Sequence, residues 1–170
     1  MNEKNIINGS FENSYDGVSP DGWYTNGLPH TKNNAAFSID NSVYHSGGHS
    51  ILISLNKKLP EESFIYNWVR RIDDLKPSKV YQVLGWIKTE GINNSPYLKL
   101  ECLSKKTDNL LASLSTKSRD PVTGNTNWKR VDLMIKIPSG TDKVLLIAGV
   151  ESKDNEGGKV WFDDISITPL

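Results

Sequence analysis

Apolar and polar residues alternate with a period of two through most of this chain. Ala35, Phe37 and Ile39 form one such set and Ile51, Ile53 and Leu55 a second, while Val131, Leu133, Ile135 and Ile137 alternate with Asp132, Met134 and Lys136. That period puts one set of side chains on a buried sheet face and the other in solvent. The runs "KVYQVLGWIKTEG", "SPYLKLECLS", "DKVLLIAGVES" and "KVWFDDISIT" are rich in Val, Ile, Leu, Tyr and Trp and are bounded by Pro, Gly, Asn or Ser. Strands closed by turns have this composition. About ten short strands fit, at the spacing of a β-sandwich. The stretch "EESFIYNWVRRIDDL" comes nearest to a helical stripe, yet its Phe64, Tyr66, Trp68 and Arg70 alternate equally well. The chain therefore reads as all-β, with residues 1–170 forming a single domain.

Charge and cysteine content narrow the function classes. Lys plus Arg number 20 and Asp plus Glu number 20, so no net charge draws the protein to nucleic acid or anionic lipid. The basic pairs Lys57-Lys58, Arg70-Arg71 and Lys105-Lys106 are scattered and read as solvated surface. Cys102 is the only cysteine, so no intramolecular disulfide can form; its place in "YLKLECL" suits a small core residue. No apolar run has the length of a membrane span, which argues against membrane insertion. The start, "MNEKNIING", has no apolar signal segment. It suits either a protein made without a signal or a module of a larger exported chain.

Catalytic signatures are sparse. His30, His45 and His49 make no H-E-x-x-H arrangement, and neither a G-x-S-x-G elbow nor a phosphate loop is present. Glu101 and Glu151 could supply the carboxylate pair of a glycosidase, but a role as charged partners for sugar hydroxyls explains them more simply. The expectation is a protein that is not an enzyme.

Four segments carry a family resemblance: "NGSFE" with "PDGW" at the start, "HSGGHSILI" (45–53), "VYQVLGWIKTEG" (80–91), and "GGKVWFDDISI" (157–167). Together with Trp128 and the strand, Pro-x-Gly-Thr turn and strand that follow it, they resemble the carbohydrate-binding modules of families 4, 9 and 22. The resemblance spans the whole chain in order. It implies a two-sheet β-sandwich jelly roll of the galactose-binding-domain-like type, a polysaccharide or oligosaccharide ligand lying across the concave sheet, and a structural calcium ion. It also implies attachment to a larger protein, exported to the cell surface or beyond. The same fold occurs in domains that bind no sugar, so the alternative is a structural or adhesion domain of a surface assembly or phage particle that makes protein contacts.

For the calcium, the resemblance points to Glu12 and an aspartate of "FDD" as side-chain ligands, and to main-chain oxygens of the "SGGHS" turn, here Ser46 and His49. Oxygen donors around a Gly-rich turn suit that ion. Two adjacent aspartates on a strand point to opposite faces unless a bulge intervenes. Asp164 is the choice, because Trp161, Asp163, Ile165 and Ile167 form one alternating set and Asp164 belongs to the other.

For the glycan, a site needs flat aromatic surface and a few hydrogen-bonding groups. With Val83, Gly85 and Ile87 inward, Trp86 and Lys88 face outward. Inward Leu98, Leu100 and Cys102 leave Tyr97, Lys99 and Glu101 outward; inward Val144, Leu146, Ala148 and Val150 leave Glu151 outward. With Val69 inward, Tyr66, Trp68 and Arg70 face solvent. The expected groove is thus Tyr66, Trp68, Arg70, Trp86, Tyr97, Lys99, Glu101 and Glu151. Trp23 and Trp128 are expected to plug the ends of the sandwich, and Trp161 to pack.

Overall fold

The computed structural model describes residues 7–26, 34–104 and 106–170, so His30 and Lys105 lie outside the described residues. The strands are β1 (Trp23–Thr25), β2 (Ala35–Asp40), β3 (Ser50–Leu55), β4 (Ile65–Ile72), β5 (Val80–Ile92), β6 (Tyr97–Leu103), β7 (Leu110–Ser115), β8 (Gly124–Lys136), β9 (Lys143–Glu151) and β10 (Lys159–Pro169). They form two five-stranded sheets, ordered β1-β4-β9-β6-β7 and β2-β3-β10-β5-β8. All strand pairs are antiparallel. The architecture is the β-sandwich jelly roll that the alternation and the resemblance implied.

The inner faces follow the period-two reading in four strands. Val83 and Ile87 of β5 and Val131 and Leu133 of β8 meet Leu98, Leu100 and Cys102 of β6 and Leu146 and Ala148 of β9 in one buried cluster. Removal of this apolar surface from water is the main favourable contribution to folding. Trp23 and Trp161 are buried, as expected. Trp23 packs edge-on against Phe11 at 5.2 Å between centroids, and its indole N–H donates to the Ile7 carbonyl at 2.8 Å. Trp128 does not plug an end: it lies half-buried beside the His45 ring, on the outer side of β8.

β4 is turned the other way from the expectation. Tyr66 and Trp68 are each only 1% exposed and belong to the core, while Asn67 and Val69 occupy the outer side. Trp68 donates its indole N–H to the Leu52 carbonyl of the opposite sheet at 3.3 Å, and Phe37 meets its ring edge-on at 5.7 Å. Arg70 shares the inner parity of Trp68 and Ile72, opposite buried Trp23, and is half-buried. Tyr66, Trp68 and Arg70 therefore leave the expected groove. The reason is that β4 carries apolar residues on both parities. Alternation then sets the period without saying which set is inside, and the larger aromatic area takes the core.

Since Trp68 is a core residue, Trp68→Ala is expected to destabilise the protein by about 3–5 kcal/mol. Denaturant unfolding checks this. A loss below about 1 kcal/mol would contradict the buried placement.

Candidate functional site

The N-terminal segment reaches its place through one buried ring and one carboxylate. Phe11, at φ +57°, inserts its side chain into the core, and Glu12 beside it turns toward the loop between β2 and β3. Glu12 Oε1 accepts the main-chain N–H groups of Gly48 at 2.8 Å and His49 at 3.0 Å, and Oε2 meets His49 Nδ1 at 2.7 Å. Partial burial alone would raise the Glu12 carboxyl, but these donors outweigh it and hold the group below the usual glutamate range. Gly47, at φ +68°, must lack a side chain here, since a Cβ would sit 2.2 Å from Glu12 Oε1.

The other half of the turn is held by β10. Its register shifts between Asp163 and Ser166, with Asp164 at φ +47°. This bulge is the exception to strict alternation, and it lets both aspartates address the same turn. Asp163 Oδ2 accepts the N–H groups of His45 at 2.7 Å and Ser46 at 3.2 Å, while its Oδ1 accepts the Asp164 N–H at 2.7 Å. Asp164 Oδ2 accepts the Ser46 hydroxyl at 2.7 Å and meets His45 Nδ1 at 2.7 Å. Full burial pushes the Asp163 carboxyl up to about 6, against the pull of the His45 and Ser46 N–H bonds; the charge of Asp164 adds to the rise. The His45 ring in turn stacks on Trp86 at 4.0 Å.

In this arrangement the carboxylates of Glu12, Asp163 and Asp164 accept from N–H and O–H donors of the turn. The turn presents N–H groups to the carboxylates, those of Ser46 and His49 among them. Glu12 engages one half of the turn and Asp164 the other. Among the described residues no three His, Cys, Asp or Glu side chains gather as a metal-holding group.

A second constellation lies on the outer face of the β1-β4-β9-β6-β7 sheet. Its middle row runs Asn67, Gly149 and Tyr97 across β4, β9 and β6. The neighbouring row runs Tyr24, Val69, Ile147, Lys99 and Ser115 across all five strands. Tyr97 donates its hydroxyl to Asn67 Oδ1 at 3.4 Å, and both side chains lie over Gly149, where a Cβ would come within 2.0 Å of Asn67 Oδ1. Burial, then the charges of Glu151 and Glu101, hold the Tyr97 hydroxyl well above its usual range.

Charged groups border this row on both sides. Lys99 pairs with Glu101 at 2.7 Å, and its ammonium lies 5.6 Å from the Tyr97 ring centre. Glu151 accepts Lys117 Nζ at 2.8 Å and the Asn94 amide at 3.4 Å; the Lys117 bond holds its carboxyl below the usual range. Tyr24, 49% exposed, is an open aromatic plane on the same side.

Of the expected groove, the structure thus brings together Tyr97, Lys99, Glu101 and Glu151. Trp86 faces outward as expected, but on β5 of the opposite sheet, where it carries the His45 ring. Tyr24, Asn67, Asn94 and Lys117 escape the sequence reading. Tyr24 sits in a strand of three residues, too short for a period to show. Asn67 follows from the parity of β4 alone, and Lys117 reaches Glu151 from a turn.

No family model and no curated relative matches this chain. Solved structures do. A family 61 carbohydrate-binding module in complex with β-1,4-galactotriose superimposes with TM-score 0.59 and 19% identity, covering 96% of each chain. The xylan-binding CBM22-1 domain of Paenibacillus barcinonensis Xyn10C gives TM-score 0.60 at 12% identity, over 95% of this chain and 92% of that one. The enzymatically active domain of bacteriophage CBA120 tailspike protein 4 gives 0.64 at 16%; this chain spans 95% of its own length there and only 20% of the tailspike domain. At such identities the likeness is one of fold.

Two outcomes follow from the clasp around residues 45–49. Thermal melts with and without chelator test calcium at this turn: a lower melting temperature in chelator would place the ion at Glu12 and Asp164, and coincident melts would leave the hydrogen-bonded clasp to hold the turn alone. For Asp163 the native state binds a proton more tightly than the unfolded chain, so its contribution is full below about 4 and is lost as pH rises through about 6. In chelator, the stability of the wild type relative to Asp163→Asn is therefore expected to fall across that window. A pH-independent difference would contradict the raised carboxyl.

Proposed function

We infer that this chain binds polysaccharide or oligosaccharide without catalysis, on the outer face of the β1-β4-β9-β6-β7 sheet. The observation that carries the reading is the shared face of Tyr24, Asn67, Tyr97, Lys99, Glu101 and Glu151. Sugars offer C–H faces and hydroxyl edges; the half-exposed Tyr24 ring suits the first, and the amide and charged groups suit the second. The fold likeness to xylan- and galactotriose-binding modules supports the same reading. Those structures match over nearly their whole length, whereas the tailspike domain matches over a small part of its own.

Such a face gives modest affinity, because sugar hydroxyls must replace water hydrogen bonds and a flat polar surface buries little apolar area. Its use is to hold an attached enzyme or particle on a glycan, which raises local concentration through tethering. A module of a larger exported protein, acting outside the cell or at its surface, fits that role. No helix among the described residues is long and apolar enough to cross a membrane.

Binding of the intact chain to a panel of polysaccharides and oligosaccharides tests the reading. Tyr24→Ala is expected to weaken binding by about 1–3 kcal/mol, as at other aromatic stacking platforms, with an unchanged melt. Trp86→Ala, on the opposite sheet, is expected to leave glycan affinity as it was. The reverse pattern would move the site to the other sheet. Silence of the folded protein across the panel would overturn the reading in favour of a domain that makes protein contacts.

A further inference from the structure

We propose that the lysine–carboxylate pairs of this face act as a charge filter, with Glu101 and Glu151 as specificity-determining residues that admit neutral glycans and turn acidic ones away. The inference rests on the carbohydrate-binding reading above. It adds which glycans are refused, and by which atoms.

Three cations on or beside this face are committed to carboxylates. Lys99 Nζ lies 2.7 Å from Glu101 Oε1, Lys117 Nζ 2.8 Å from Glu151 Oε1, and Arg71 Nε 2.7 Å from Asp73 Oδ1. The first two pairs are partly withdrawn from water, with side chains 21% and 22% exposed in one and 30% and 32% in the other. They lie on opposite sides of the Asn67–Gly149–Tyr97 row. Asn94 adds an amide donor to Glu151 Oε2 at 3.4 Å.

A sugar hydroxyl suits such a pair as it stands. It donates its proton to the carboxylate and accepts from the ammonium, so the pair need not open. A uronate carboxylate or a sulfate ester accepts only. It has no proton for Glu101 or Glu151, and it meets their negative charge at close range. To reach Lys99 or Lys117 it must either share the ammonium with the resident carboxylate at close, repulsive range, or displace that carboxylate and leave a partly desolvated charge without its partner. The refusal comes from a repulsive element built into the site, which is how specificity between similar ligands is commonly obtained.

Removing one carboxylate should open the filter. In Glu101→Gln the amide keeps the size and hydrogen-bonding capacity of the side chain, while Lys99 becomes available to an anion. The experiment measures binding of wild type, Glu101→Gln and Glu151→Gln to a neutral xylan and galactan and to their uronate-bearing counterparts, glucuronoxylan and polygalacturonate, at one ionic strength. The wild type is expected to prefer each neutral polymer by at least about tenfold. Each variant is expected to gain about tenfold for the acidic polymers, without a comparable gain for the neutral ones and with a near-native melt. The gained affinity should fade in high salt, as a screened contact does. A wild type that prefers the acidic polymers, or variants that bind neutral glycans but gain nothing for acidic ones, would overturn the filter alone. Silence of all three folded proteins on every polymer would overturn the binding reading and the filter together.

Discussion

The register shift in β10 is the feature on which both ends of the chain depend. A regular strand would aim Asp163 and Asp164 at opposite faces; with Asp164 at φ +47°, both reach the loop that joins β2 to β3. That loop then has four main-chain N–H groups to satisfy, from His45, Ser46, Gly48 and His49, and carboxylates from β10 and from Glu12 accept them. Half-buried N–H groups without acceptors would be costly, so these carboxylates stabilise the loop where it lies. It brings the N-terminal segment, the β2–β3 loop and the last strand into one unit. Phe11 completes it by filling the space beside Trp23.

Seen from this clasp, the aromatic residues divide by task. Trp86 and Trp128 back the clasped loop through His45, on the outside of one sheet. Trp23 and Trp68 fill the space between the sheets. Few large rings are then left for a ligand, and the opposite outer face sets tyrosines, amides and paired charges around an apolar patch of Val69, Ile147 and Leu145. Gly149 decides the shape of that face, because only a residue without a side chain lets Asn67 and Tyr97 lie flat across the centre of the sheet. A site so composed favours hydrogen-bonding ligands with one stacking contact over a deep aromatic clamp.

Much of this was legible in the residues. Period two in Val131–Ile137 and Leu98–Cys102 specified strands and their buried sets, since each has one clearly apolar parity. The placing of Tyr97, Lys99 and Glu101 on one outer face followed directly, as did Glu151 after Val144–Val150. The resemblance directed attention to Glu12, the "SGGHS" turn and the "FDD" aspartates, and the structure joins those three segments. In the structure N–H donation to carboxylates joins them, a detail of geometry that residue types alone do not give.

By itself, then, the sequence determined the all-β class, most strand positions and the membership of half the candidate face, because a two-residue period is a local property of the chain. Only the tertiary structure decided which side of β4 is inside, that Trp86 and Trp68 serve different sheets, and that Tyr24, Asn67 and Lys117 join the face. Those outcomes depend on which strands become neighbours and on which aromatic surface finds room in the core. Both are set by contacts between residues far apart in the chain, such as Trp68 with Leu52 and Phe37, and Asn67 with Tyr97.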